Sequence, residues 1–498
     1  MAVSSSFGAP RRVWIALGLA LVVGLLVRRW ALDKTDNIRS IYNQQNAFFW
    51  GDRIVRGARP PGGATGGSVG WGALWRSYVA VYDDDAVHPA PEGHTLDYAP
   101  LRLLMAGVWV NHVNAVYGPA PQWRPEFARS YAGFSTVMEL AGAAAMFWLV
   151  GSWMGRERDS KLSGDEPRYD GRNHPHRNPL PECRERGSER WGRWNLAAAA
   201  AILLWLDPSG IADSQVCPQG ESWIYAAYLL AVLAMTRGRC FVAGMLLGIG
   251  AMLKGQILLV APALILWPLF DRRWAASARV AAGIVAGMCL IAWPWITHGS
   301  FAWARAAFAA HVKSNDLLRK GQSMNLSAVL ARWGHFTLHQ PVVSIGHRVL
   351  LDVKSALLLL YGVLLVFCAR ATARQARSGD PRLLLSAAVP WALMFFVLGQ
   401  MDERYAVWGA CLGATAVVAG RWQLAGHLML SLAATAMVIE GRLMLTPGPH
   451  PHLLWALLRL NPLTALFTFA GVGILAGGSL PGPRTANPQR HSDSFPSN

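Results

Sequence analysis

Ionisable side chains set among long apolar runs are costly to hold at membrane depth, about 2.5–3.5 kcal/mol each on insertion scales, so each is a functional candidate. Four such groups stand out in this chain of 498 residues. The first is the acidic cluster Asp83-Asp84-Asp85, with Asp97 a little further on. A carboxylate within hydrogen-bond reach of a hydroxyl nucleophile can take its proton, and a cluster of them can hold a hard divalent cation. A solvated acidic loop is the plainer use of the same residues. The second runs from Asp207 to Trp223 and sets Asp213, Gln219 and Glu221 between two apolar runs, where Asp and Ser also serve as helix caps. The third is Lys254-Gly-Gln256, a cation in a tight turn. It can bind phosphate as a point charge or merely snorkel to the interface. The fourth is Gln400-Met-Asp402-Glu403-Arg404-Tyr405. There Arg404 offers a planar fork to a phosphate oxyanion, and a Glu–Arg pair is the simpler role.

Other chemistries lack support. There is no P-loop, GxSxG elbow or HExxH, the motifs of ATP-driven transport, serine hydrolysis and zinc proteolysis. His298, His311, His335 and His339 are too irregularly spaced to mark a metal site. The six cysteines are scattered without a CxxC pair, so neither a disulfide framework nor a zinc module is indicated.

The elements that must position these groups are membrane helices. The chain is 53% hydrophobic and 15% charged, with mean hydropathy +0.25, where a soluble protein carries about 25% charged residues. That composition speaks against an ordinary cytosolic enzyme and against a disordered chain. The few charges are lopsided, 46 Lys+Arg against 29 Asp+Glu. An apolar chain with surplus cations reads as a membrane protein with basic loops before it reads as a nucleic-acid binder, and no nucleic-acid partner is expected. The fold class expected is an all-α polytopic membrane protein of about twelve transmembrane helices. Apolar runs near 13–27, 134–153, 194–207, 222–236, 240–253, 256–270, 278–297, 349–368, 383–399, 406–420, 423–439 and 452–476 supply them.

Charge orients the chain. With residues 1–12 cytoplasmic and 13–30 as a retained first span, the loop 154–193 with its ten Lys/Arg faces the cytoplasm, as the positive-inside bias requires. Residues 31–133 then form a long first external loop carrying amphipathic helices. A multi-span domain fills 134–476 and includes a second external loop, 298–348. Residues 477–498 make a disordered cytoplasmic tail. Leu101 to Val116, interrupted by Arg102, Asn111, His112 and Asn114, reads as a helix lying in the interface plane. All four candidate groups then map to the external ends of helices. A transporter would instead concentrate charged sites near mid-bilayer.

Taken in order, Leu96-Asp97-Tyr98-Ala99-Pro100-Leu101, the Asp207 to Glu221 loop, Lys254-Gly-Gln256 and Asp402-Glu403-Arg404-Tyr405 give the chain its likeness to a family. It resembles the GT-C superfamily of membrane glycosyltransferases, including dolichyl-phosphate-mannose mannosyltransferases and the glucosyltransferases that extend lipid-linked oligosaccharides. Departures are Ala99 where that pattern has Pro, Glu221 where Asp is common, and Asp402 where His is common. The resemblance implies a polyprenyl-phosphate-linked sugar as donor and a hydroxyl of a glycan, lipid or protein as external acceptor. It also implies membrane lipids as surroundings and, for such a chain, the bacterial inner membrane as location. A single carboxylate base is implied, with Asp36, Asp84 and Asp97 as candidates. Arg102, Gln219, Glu221, Lys254, Gln256, Glu403 and Arg404 are the implied substrate-binding residues. No cofactor is implied with certainty, a divalent cation being the one to consider. An O-antigen ligase- or polymerase-like enzyme and a polytopic transporter are the other readings of the same architecture.

Overall fold

The computed structural model describes residues 9–35, 42–60, 68–87, 96, 98–118, 125–162, 182–309, 317–345, 348–445 and 450–480. It is an all-α polytopic bundle. The first helix, α1 (Arg11–Lys34), is followed by three helices of the first long loop, α2 (Tyr42–Gly57), α3 (Trp71–Val87) and α4 (Pro100–Tyr117). Then come α5 (Pro125–Leu162), α6 (Glu182–Trp205), the short α7 (Pro208–Ile211), α8 (Tyr225–Thr236), α9 (Cys240–Leu253), α10 (Ile257–Phe270) and α11 (Trp274–Thr297). The second long loop holds α12 (Ala302–Ala304), α13 (Leu326–Trp333) and an antiparallel hairpin of β1 (Pro341–Ile345) and β2 (Arg348–Asp352). The chain closes with α14 (Val353–Ser378), α15 (Leu383–Val397), α16 (Ala406–Leu412), α17 (Arg421–Leu445) and α18 (Pro451–Ser479).

Among the described residues, seven helices are long and apolar enough to cross a membrane, and four further apolar helices are shorter. The run 406–420, read from sequence as the tenth of the twelve spans, is instead seven residues of α16 followed by a 3-10 turn, Gly413–Val418. Close packing is the reason it stays compact. A Cβ at Gly409 would meet the backbone of Ala392, and α16 is buried throughout. The start of the 349–368 run likewise differs, because Arg348–Asp352 is a strand and Asp352 caps α14 by accepting from Ser355 N at 2.8 Å.

Two close approaches decide where the functional residues fall. Gly244 and Gly248 on α9 face Gly283 and Gly287 on α11. A Cβ on any of the four would land on a backbone carbonyl of the partner helix, the small-xxx-small packing that brings membrane helices together. The matched order, Gly244 at Gly283 and Gly248 at Gly287, makes the two helices parallel. Extending that register sets the end of α9, Leu253, opposite Ala292, so α11 runs on for about another 7–8 Å and the turn after α9 is recessed among longer helices. In the second approach Gly51 of α2 lies against Ala106 of α4.

The first helix is pinned to the bundle by a buried pair. Arg28, placed by the sequence at the end of the first span, is 3% exposed. Its Nε donates to Glu139 Oε2 at 2.9 Å and its Nη2 to Trp205 O at 2.8 Å. The guanidinium lies 3.7 Å from the Trp205 ring centroid, and Trp205 Nε1 donates to Ala20 O.

Candidate active site

The recessed turn after α9 carries Lys254. Its ammonium pairs with the Glu221 carboxylate, and the two side chains are 5% and 0% exposed. Glu221 is delivered by an irregular stretch. Asp207 caps α7 by accepting from Ser209 N and Gly210 N, a π-helical turn over Ala212–Val216 follows, and Glu221 opens the 3-10 turn that leads into α8. A π-helical turn inside an apolar segment widens the backbone locally and is often found at functional sites. Trp408 Nε1 donates to the Glu221 carbonyl at 3.0 Å, which ties this loop to α16.

Arg404 comes from the segment between α15 and α16. Its Nη1 donates to Gln219 Oε1 at 3.1 Å. Its Nε stands 3.3 Å from Asp402 Oδ2 and 3.8 Å from Glu221 Oε1. Glu221 therefore sits between two cations from different parts of the chain. Tyr405 and Trp408 stack with ring centroids 4.7 Å apart, and the Lys254 Nζ lies 5.2 and 5.0 Å from those two centroids, within cation–π range. Gln256 Nε2 donates to the Tyr405 hydroxyl at 3.4 Å.

Arg102 joins from α4. Its guanidinium covers the Tyr98 ring at 4.3 Å, makes a side-chain hydrogen bond with Tyr131 and lies close enough to Lys254 to repel its charge. The helix is set by Pro100 at its first position, where the missing N–H costs nothing. Tyr82 and Tyr78 donate to the carbonyls of Tyr98 and Pro100 and fix the entry. Six of the residues named from sequence, Arg102, Gln219, Glu221, Lys254, Gln256 and Arg404, thus converge at one end of the bundle.

Glu403 points elsewhere. Its Oε2 accepts from Gln322 N at 2.9 Å, and its carboxylate occupies the room left by two glycines, Gly321 at φ +59° and Gly441 of α17. It anchors the second long loop to the bundle beside the site. Burial, followed by the charge of neighbouring Asp402, pushes the Glu403 carboxyl well above its ordinary range. Burial also acts to raise Asp402, but Arg404, a hydrogen bond from Glu403 and Lys320 outweigh it and hold Asp402 low. For Lys254 burial is the largest influence and pulls the ammonium down to about 7; Glu221 opposes this while Arg102 and Arg404 add to it.

The carboxylates proposed as base fall differently. Asp36 and Asp97 lie outside the described residues. Asp84, on α3, pairs with Arg53 of α2 at 2.7 Å; Arg53 also reaches Asp85 at 3.3 Å, and Asp83 accepts from Ser300 Oγ at 2.6 Å. The acidic cluster is thus bonded to its own neighbours. Among the described residues no three His, Cys, Asp or Glu side chains are grouped to hold a metal ion.

One further member of the site was named from sequence only as part of the Asp207 to Trp223 group, without a role. Asp213, on the π-helical turn, is 1% exposed, and its Oδ1 has no hydrogen-bond partner among the described residues. It lies within electrostatic reach of Glu221, Lys254 and Arg404. The signal available was its place in the Asp207 to Glu221 loop, but an Asp there is equally a cap, and the local sequence does not tell the two apart.

The family model of Glycosyltransferase family 87 matches residues 125–399, more than half of the chain. The matched stretch contains Asp213, Gln219, Glu221, Lys254 and Gln256 and stops just before Asp402-Glu403-Arg404. No curated protein matches the chain.

Proposed function

The chain belongs to glycosyltransferase family 87 and is a multi-pass membrane glycosyltransferase of the GT-C type; from that premise we propose that it moves a sugar from a polyprenyl-phosphate donor to an acceptor hydroxyl on the external face, with inversion. The single observation that supports this reading is the convergence of Arg102, Lys254 and Arg404 at one end of an apolar bundle. A lipid phosphate has its charge at that level and its tail in hydrocarbon, so cations belong there.

The chemistry asks little else of the protein. A carboxylate, with Asp36, Asp84 and Asp97 as candidates, takes the proton of the acceptor hydroxyl. The oxygen forms a bond to the anomeric carbon as the bond from that carbon to the phosphate oxygen breaks. The leaving group departs with the electron pair as a phosphate anion, which needs preorganised positive charge more than a proton. Arg404, with a fifth of its side chain exposed, is open to an incoming phosphate. Lys254 is more deeply buried, Arg102 lies within electrostatic reach of it, and Gln219 orients the Arg404 fork. A pair of carboxylates of the glycosidase kind is not required.

The test uses purified protein in nanodiscs, with labelled polyprenyl-phosphate hexose and a nucleotide sugar offered separately with an acceptor alcohol. Transfer from the lipid donor alone, with an inverted anomeric configuration in the product, is the expected result. Transfer from the nucleotide sugar with none from the lipid donor would overturn the donor assignment. Movement of sugar across the bilayer without any new glycosidic bond would favour a transporter.

A further inference from the structure

Thr236–Cys240, between α8 and α9, and Phe270–Trp274, between α10 and α11, form two turns at the end of the bundle opposite Lys254. The geometry follows from length, because α9 and α10 each have 14 residues and run about 21 Å away from the Lys254 turn. Between these two turns, α5 and α14 lies a cavity of about 530 Å³, within the range of small-molecule sites. Its chemistry is lopsided. Arg237, Arg273 and Arg377 line it with Trp153 and Trp267, and Asp271 is the one carboxylate among the lining residues. Arg377 takes that carboxylate at 2.8 Å and also donates to Phe270 O. Among the described residues, Arg237 donates to a hydroxyl, Ser152 Oγ at 3.1 Å. The lining residues therefore carry a surplus of two positive charges beside two indoles.

Its mouth is flanked by bare apolar side chains. Trp274, the residue after Arg273, is 71% exposed, and Phe241 and Val242, next to the lining residue Cys240, are each 44% exposed. Large apolar side chains left bare on a membrane bundle face lipid, and Trp prefers the interface. Basic pockets between helix ends at that depth suit anionic headgroups.

We propose that this cavity is a binding site for the phosphate headgroup of an anionic membrane lipid, with the phosphodiester between Arg237 and Arg273 and the glycerol against Trp153 and Trp267. The acyl chains leave past Phe241 and Val242. A free phosphate ion would use the two guanidiniums but not the indoles or the apolar exit, so the lipid is the source the structure favours. The site is separate from the proposed active site and does not depend on the reading given to it.

The test is native mass spectrometry of the full chain in mild detergent, with phosphatidylglycerol and phosphatidylcholine of the same acyl chains added in turn. Wild type should retain phosphatidylglycerol in preference. The R237Q/R273Q variant, which removes two cations at the lipid surface, should bind it about thirtyfold more weakly, and R237K/R273K should keep most of the binding. Should the double variant fail to insert, R273E alone must still show the loss. Equal retention of the two lipids overturns the site, as does unchanged retention in the Gln variants. Displacement of the lipid by an equal concentration of inorganic phosphate overturns the lipid as its occupant.

Discussion

Glu221 and Lys254 are 33 residues apart in sequence and form an ion pair with at most 5% of either side chain exposed. Each comes from a break in an apolar segment, and Arg404 closes on the same carboxylate from a third break. Removing one partner of a buried pair costs about 3–5 kcal/mol because the other is left charged and unmatched, whereas replacing both with apolar groups is often neutral. Lys254→Ala is therefore expected to lower the thermal stability of the purified protein strongly. The double variant K254M/E221L should recover most of that stability and still fail to transfer sugar. Recovery of transfer together with stability would reduce the pair to scaffolding.

Arg404→Ala should cut the turnover number by about 10²–10³-fold, the usual loss for one preorganised donor at a developing charge. Arg404→Lys should not restore it, since an ammonium lacks the fork that meets both Gln219 and a phosphate. Insertion and melting temperature should stay near wild type. Retained transfer in the purified Ala variant removes Arg404 from the site.

The pH dependence has a definite sign. With the Lys254 ammonium brought down to about 7, the free enzyme holds this cation below that pH and loses it above. kcat/KM for the lipid donor should accordingly fall as pH rises through about 7. Lys254→Arg, charged at every working pH, should carry the alkaline limb upward by more than a unit. An alkaline limb that does not move with this substitution assigns the titration to another group.

The base is open to direct assay. Asp84→Asn breaks a surface pair with Arg53 in which the Asp84 side chain is 51% exposed, a contact worth up to about 1 kcal/mol. Its effect on stability should be small. Assayed with labelled polyprenyl-phosphate sugar, Asp36→Asn, Asp84→Asn and Asp97→Asn should single out one inactive variant. If all three remain active, the carboxylate-base mechanism is wrong.

Gly248→Val tests how the site is positioned. Its Cβ would fall on the Ile284 carbonyl, and overpacking of this kind costs about 1–3 kcal/mol. Because α9 ends at Lys254, the variant should lose transfer beyond what its melting temperature explains. Gly473→Val, on α18 with open space around its Cβ position, is the matched control and should be silent.

Much of the helical plan was legible because hydrophobic length is a local property. The runs at 240–253 and 256–270 correspond closely to α9 and α10. Lys254 and Arg404 were visible as charges interrupting apolar sequence. Less visible was anything that depends on a neighbour far along the chain. The 406–420 run looks like a span, yet Gly409 lets it press on Ala392 and it breaks into two short pieces. Asp84 reads from sequence as a candidate base beside a family-like motif, and that its position on α3 gives it Arg53 as a partner is visible only in the structure.

By itself the sequence determined a charge-poor, multi-span chain whose remaining charges collect where helices begin and end, since a charge inside hydrocarbon is expelled or partnered. Only the tertiary structure decided the partners. It set Gln219 and Glu221 against Lys254 and Arg404, brought Arg102 in from α4, drew the buried Asp213 into the same group, and matched Arg28 with Glu139 across 111 residues. The reason is that a buried charge needs a counter-charge within a few ångströms. Which one it finds depends on how helices such as α9 and α11 pack against each other.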